Sequence, residues 1–148
     1  MILKQYSDLY HINMPNISVK RLMIDRKNFI QNSKDFIGIH CYWNDEDIYT
    51  VYALIFGPTD TPYFSGGYLF KLVFNSNYPF EPPHVDFLNR DAGVRFNPNL
   101  YRKGKVCLSI INTWEGPGWT SCQSLSSVLL AIQTLLNQYP IRNEPGYE

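Results

Sequence analysis

The sequence predicts an α+β fold: one helix, an antiparallel four-stranded meander, a long irregular segment and a second helix. Three observations carry that prediction. Apolar residues recur at helical spacing near both ends of the 148-residue chain. Between them lie runs rich in β-branched and aromatic residues, joined by turn segments as in an antiparallel meander. Residues 89–123 show little periodicity yet contain Phe96, Tyr101, Trp114 and Trp119. Loops that long in a compact domain are functional or disordered, and the aromatic content argues for order.

Taken in order, residues 1–17 read as an irregular N-terminal extension and 18–148 as one core domain. Ser18 caps a helix over 18–32, with an apolar stripe of Val19, Leu22, Met23, the stem of Arg26, Phe29 and Ile30. Lys20, Arg21 and Lys27 lie off the stripe and form a basic outer face, which is either simply solvated or a docking face. Strands are expected over 36–42, 48–56, 68–74 and 84–88. Tyr68, Phe70, Leu72 and Phe74 share one face of the third. Residues 57–67 and the proline-rich 75–83 interrupt the runs. Residues 106–111 alternate like a further short strand. Ser124 caps the second helix, whose core stripe is Leu125, Val128, Leu129, Ile132, Leu135 and Leu136. Leu130 and Ala131 fall outside that stripe, as ordinary surface residues or as a partner contact. Pro140 ends the helix, and residues 141–148 trail off.

Composition narrows the function classes. Thirteen basic and thirteen acidic residues give no net charge, which argues against a general nucleic-acid binder. No apolar run reaches membrane-span length, and the start of the chain lacks a signal-peptide core. Cys41, Cys107 and Cys122 are an odd set with no export signal, so free thiols in a reducing compartment, cytoplasm or nucleus, are expected. There is no C-x-x-C pair, and His11, His40 and His84 are scattered, which disfavours a structural zinc site.

Chemistry concentrates in residues 97–109. Pro98 fixes its own φ and biases Asn97 away from helix. Arg102-Lys103-Gly104-Lys105 reads as a turn. A chain that turns at Gly104 folds back and brings Asn99 beside Cys107, placing an amide donor next to a thiol. From these residues alone, Cys107 is either a small buried hydrophobe or a working thiol.

Six motifs in order then carry a resemblance. They are Gly57-Pro58-Thr59-Asp60-Thr61-Pro62-Tyr63, Gly66-Gly67, Tyr78-Pro79-Phe80-Glu81-Pro82-Pro83, Asn97-Pro98-Asn99, Gly104-Lys105-Val106-Cys107-Leu108, and Ser124-Leu125-Ser126-Ser127-Val128-Leu129-Leu130. From about residue 18 to the end, the chain resembles the ubiquitin-conjugating enzymes. Trp114-Glu115-Gly116-Pro117-Gly118-Trp119 and the ending Asn143-Glu144-Pro145-Gly146-Tyr147-Glu148 look most like the larger or atypical subgroup.

The resemblance implies the UBC fold: N-terminal helix, four-stranded meander, active-site flap and crossover helix. It implies that Cys107 takes ubiquitin or a ubiquitin-like protein from an activating enzyme as a thioester. Cys107 would then pass it to a substrate lysine or a ligase cysteine. A thiolate attacks and leaves well, so one Cys suffices for both steps. Asn99 matches the Asn of the family's His-Pro-Asn motif, either as an oxyanion donor or as a brace for the flap. Glu144 falls where the family often has an acidic residue, either to orient the acceptor lysine or lower its pKa, or as a solvated tail residue, with Asn143 the neighbouring candidate. Lys20 and Arg21 would meet the activating enzyme. That face, Phe80 and the loop of Trp119 and Cys122 would meet a ligase, and the Leu130 side of the crossover helix the donor ubiquitin. No cofactor is implied; ATP belongs to the activating enzyme.

Three departures stand out. Asn97 replaces the motif's His. Thr120-Ser121-Cys122 replaces a common Ser-Pro-Ala. The family's usual C-terminal helices do not follow the crossover helix. The competing reading is a non-catalytic relative that binds ubiquitin or a partner. A cysteine hydrolase is more distant, because no His lies near Cys107 in sequence.

Overall fold

The structure is a computed structural model that describes residues 16–90 and 93–144. Most of the expected N-terminal extension and the last four residues of the tail lie outside the described residues. Helix α1 (Ile17–Gln31) is followed by strands β1 (Ile39–Asn44), β2 (Asp47–Phe56), β3 (Gly67–Val73) and β4 (His84–Phe87), then helix α2 (Leu125–Leu135). Single 3-10 turns occupy Ser33–Asp35, Ser109–Ile111 and Pro140–Asn143. The strands form one antiparallel sheet in the order β1-β2-β3-β4, the meander that the turn segments predicted.

Alternation in the strands decides which face is buried. Val51, Ala53 and Ile55 of β2 sit opposite Leu72, Phe70 and Tyr68 of β3, and all six are buried. Phe70 and Leu72 in turn oppose Phe87 and Val85 of β4. Helix α2 adds Leu125, Val128, Leu129, Ile132, Leu135 and Leu136 to the same core, the whole stripe read from its spacing. Ser124 caps it in a reciprocal capping box with Ser127.

Strand ends shift by up to three residues from the sequence reading, and three differences have a physical cause. β1 begins at Ile39 because Ser33–Asp35 turns and Gly38 takes φ +77; Phe36 instead stacks on Phe29, with centroids 4.7 Å apart. Helix α2 ends at Leu135, before Pro140, and the proline starts the last 3-10 turn. Ser18 does not cap α1. Asn16 holds that position, and the buried Ser18 hydroxyl bonds the Tyr49 hydroxyl at 2.9 Å.

The inward face of α1 is also different. Its buried residues are Ser18, Leu22, Asp25 and Phe29, while Met23 and Ile30 are exposed. The physical reason is Asp25. Its carboxylate accepts from Leu125 N–H at 3.1 Å, from the Tyr78 hydroxyl, and from Arg21 Nε at 3.0 Å. Leu125 is the first residue of α2, so Asp25 supplies an anion where the helix presents unpaired N–H groups. Burial, and then the bond to Asp25, push the Tyr78 phenol above its ordinary range, so it stays a neutral donor. Arg26 keeps its expected packing role, with its guanidinium 5.4 Å from the Trp43 ring centre.

Replacing Asp25 by Ala strands these donors in the core. The expected loss is about 3–5 kcal/mol in denaturant unfolding, against roughly 1–2 kcal/mol for Tyr78→Phe. Equal, small losses for both would show that the carboxylate is not the organising group.

Candidate active site

Residues 97–107 form a flap built on two turns. Leu100 N–H closes the first on the Asn97 carbonyl at 3.0 Å, and Leu100 is buried. The second turns at Gly104, whose φ of +94 suits a residue without Cβ; a Cβ there would lie 2.6 Å from the Arg90 guanidinium. Phe87 N–H bonds the Gly104 carbonyl at 2.8 Å, fastening the flap to β4.

The fold-back predicted for Asn99 and Cys107 is present, in a specific form. Cys107 N–H donates to the Asn99 carbonyl at 2.9 Å, and Asn99 Nδ2 donates to the Cys107 carbonyl at 2.9 Å. The side-chain amide thus grips the backbone of Cys107. Asn99 Oδ1 is buried with no partner, a cost of about 1–3 kcal/mol when left unmade. Cys107 itself is 1% exposed.

After Cys107 the expected strand over 106–111 does not form. Val106 makes an isolated bridge with Leu100, and Ser109–Ile111 is a 3-10 turn. Thr113 explains this. Its hydroxyl accepts from Leu108 N–H at 2.9 Å and donates to the Val106 carbonyl at 2.7 Å. A side chain occupies the groups that a neighbouring strand would have used.

Asn97 is buried and fully bonded. Its Nδ2 donates to the Tyr63 hydroxyl at 2.9 Å and to the Leu135 carbonyl at 2.7 Å, and its Oδ1 accepts Asn99 N–H at 2.8 Å. The Leu135 carbonyl, at the end of α2, also receives Asn143 Nδ2 at 3.4 Å. Asn143 is therefore turned towards the helix end. Glu144 is half-exposed and lies 3.8 Å from Arg95 Nη2. Arg95 also donates to the Pro98 carbonyl and sits 4.4 Å over the Tyr101 ring. Through Arg95, Glu144 is joined to the turn that carries Asn97 and Asn99.

Among the described residues no group of three His, Cys, Asp or Glu side chains could hold a metal ion, and no helix is long and apolar enough to cross a membrane. A sequence model of the family described as ubiquitin-conjugating enzyme matches residues 21–147. The chain belongs to the ubiquitin-conjugating enzyme family. It is 52% identical over 112 residues to ubiquitin-conjugating enzyme E2 Z of Xenopus tropicalis, covering 75% of this chain and 36% of that protein. It is 44% identical over 124 residues to the human dual E2 ubiquitin-conjugating enzyme/E3 ubiquitin-protein ligase BIRC6, covering 79% of this chain and 2% of that protein. The chain thus corresponds to about a third or less of these relatives. Among solved structures, human ubiquitin-conjugating enzyme E2 G1 superposes with a TM-score of 0.66 at 26% identity, covering 80% of this chain and 95% of that one.

In this ubiquitin-conjugating fold, the residues read as partner contacts fall into two places. Lys20 is exposed on α1. Arg21, expected beside it on the outer face, turns inward: Nη1 donates to the Ser121 carbonyl at 2.9 Å and Nη2 to that of Gln123. It clamps the loop of Trp119 and Cys122 to α1. Trp119 Nε1 donates to the Pro79 carbonyl at 2.7 Å, next to Phe80, which is 69% exposed. Phe80, Trp119 and exposed Cys122 therefore lie on segments bonded to one another. Leu130 is 40% exposed on the outer side of α2.

Sequence reasoning missed Arg95, Thr113 and Tyr63 as supports of the flap. Arg95 and Thr113 lie in the aperiodic segment, where no spacing rule points to a partner. Tyr63 lies inside a quoted motif, but its bond to Asn97 spans 34 residues.

The three thiols are separable. Burial pushes the Cys41 thiol up to about 12, so little thiolate forms there. Native alkylation followed by peptide mapping is expected to label exposed Cys122 first, with covered Cys107 and the partly buried Cys41, held as thiol, both slower. Labelling of Cys41 at the Cys122 rate would overturn this order.

Proposed function

We propose that this chain is a working ubiquitin-conjugating domain, with residues 18–148 as the domain and 1–17 as its extension. Cys107 is the acyl carrier. The reading rests on one observation, the two-bond clamp by which Asn99 fixes the backbone of the only flap cysteine among the described residues. In the first step the Cys107 thiolate attacks the thioester carbonyl of ubiquitin, or a ubiquitin-like protein, on the activating enzyme. A new C–S bond forms, the old one breaks, and the departing thiolate takes up a proton. In the second step a deprotonated lysine amine attacks the same carbonyl. The C–S bond breaks, Cys107 leaves as thiolate, and the amine gives up its extra proton. A ligase cysteine in place of lysine repeats the first step.

The residues divide the work. Asn99 holds Cys107 through one N–H; an amide has two, and the second is the donor for the oxyanion of lysine attack. Glu144 takes the role of receiving the lysine, whose free amine carries a proton below a pKa of about 10.4. Asn97 takes the bracing role of the motif's His. Lys20 contacts the activating enzyme; Phe80, Trp119 and Cys122 contact a ligase; Leu130 contacts the donor ubiquitin. Arg21 serves these partners indirectly, through the loop it clamps. The chain uses no cofactor of its own, ATP being consumed by the activating enzyme, and it works in cytoplasm or nucleus. The sequence from Trp114 to Trp119 supports a likeness to the atypical subgroup.

A non-catalytic binding module is the second reading, favoured by the burial of Cys107. Incubation with a panel of activating enzymes and modifiers, with ATP, decides between them. A band removed by reducing agent and lost in Cys107→Ser is expected; its absence across the panel favours the module. Asn99→Ala is expected to charge normally but to discharge onto free lysine about 10²–10³ times more slowly. Unchanged discharge would leave Asn99 as a brace alone.

A further inference from the structure

Residues 112–118 have no part in the steps above, yet they are bolted to the catalytic segment. Thr113 bonds both chain neighbours of Cys107, through Val106 and Leu108. Gly116, at φ +125, crosses Ser109 so closely that a Cβ would lie 3.2 Å from the Ser109 Cβ. Asn112, at φ +58, accepts Trp119 N–H on its Oδ1 at 2.8 Å and closes the loop at its base. A closed loop tied to Val106, Leu108 and Ser109 holds its tip against the segment that carries Cys107.

That tip is Trp114 and Glu115. With Asn112 and Thr113 they line an open cleft of about 530 Å³. Trp114 is 44% exposed and Glu115 is exposed. Among the described residues, Glu115 is the only charged one lining the cleft. An aromatic face beside a lone carboxylate is a site for a cation: the ring quadrupole attracts a guanidinium or ammonium, and the carboxylate pairs with it.

We propose that the Trp114–Glu115 cleft binds a basic side chain of the acceptor protein, next to the lysine that is modified, and so selects acceptor lysines in basic surroundings. The proposal rests on Cys107 being the acyl carrier. The occupant is the acceptor because the cleft is negative, and a lysine in a basic stretch brings the complementary charge. Trp114 and Glu115 act here as specificity residues and touch no reacting atom.

The test is single-turnover discharge of the charged full chain onto two lysine peptides, one with arginine flanks and one with glutamine flanks. The arginine peptide is expected to show a KM lower by about tenfold, the combined worth of an exposed cation–π contact and an exposed ion pair. Glu115→Gln and Trp114→Ala should erase that difference with kcat, charging rate and free-lysine discharge unchanged. Glu115→Lys should favour the glutamine peptide, and about 0.5 M salt should weaken the preference. Equal KM values for the two peptides would overturn the proposal. So would variants that slow free-lysine discharge equally, as a structural defect would, or variants that slow charging, which would assign the cleft to the modifier. A separate readout is the Trp114 indole N–H resonance of the uncharged chain titrated with both peptides. If no thioester forms, the carrier reading fails. A shift with the arginine peptide alone still supports cation binding at the cleft, and no shift overturns it.

Discussion

Both N–H groups and the oxygen of the Asn97 side chain are bonded inside the protein, and the flap depends on that one buried amide. It joins three groups from separate parts of the chain: the Tyr63 hydroxyl, the Leu135 carbonyl at the end of α2, and the N–H of Asn99. The bond to Asn99 sets where Asn99 can reach, and Asn99 in turn grips Cys107. An imidazole has two ring nitrogens, whereas an amide has two donors and an oxygen that accepts. Asn in this position therefore makes three bonds where a His makes two. The change from His does not leave the turn unbraced.

Helix α2 is held at both ends by side chains from other elements. An α-helix leaves N–H groups unpaired at its start and carbonyls unpaired at its end. At the start, Asp25 of α1 and the Ser124 cap supply acceptors. At the end, Asn97 and Asn143 supply donors to Leu135. The first end adjoins the loop clamped by Arg21, and the second adjoins the flap. One rigid helix thus spans the face proposed for ligases and the thiol, with charged or amide groups fixing its register at each end. This is why polar residues, and not only the apolar stripe, decide how α1 turns. A stripe of Met23 and Ile30 would bury more apolar surface, but it would leave Asp25 in water and the start of α2 without its anion.

The sheet, both helices and the fold-back at Gly104 were legible because they rest on periodicity, on turn chemistry and on a cap. The errors share another cause. Ser18 looked like a cap because Ser before an apolar repeat is the usual signal, but Tyr49, 31 residues away, takes its hydroxyl. Arg21 was read onto the outer face because it lies off the apolar stripe, yet its partners lie 100 and 102 residues away. The strand over 106–111 failed for the opposite reason: Thr113, only a few residues on, captured its backbone groups. Long-range polar bonds leave no periodic trace, and short-range ones compete with a pattern that is otherwise sound. At the candidate site, the pairing of Asn99 with Cys107 was legible as proximity. That the amide holds the carbonyl, not the sulfur, was not, because spacing brings residues together without saying which atoms meet.

The covered thiol and the clamp belong to one argument. The acyl carrier proposed for Cys107 has to let two large proteins reach its sulfur while keeping the attacking atom in place. Both backbone polar groups of Cys107 are bonded to Asn99. Uncovering the sulfur therefore does not require the flap to unfold; rotation about the Cα–Cβ bond or a shift of the covering side chains suffices, at a cost of rotamers and not of backbone hydrogen bonds. The same clamp limits Asn99. The N–H that holds the carbonyl cannot also stabilise an oxyanion unless it lets go. The buried, unpartnered Oδ1 sharpens this limit, since a turn of the amide would bring that acceptor towards the Cys107 carbonyl, where two oxygens repel. Asn99 is therefore held in one orientation, and in the proposed transfer the hydrogen not engaged with Cys107 is the one left to meet an oxyanion.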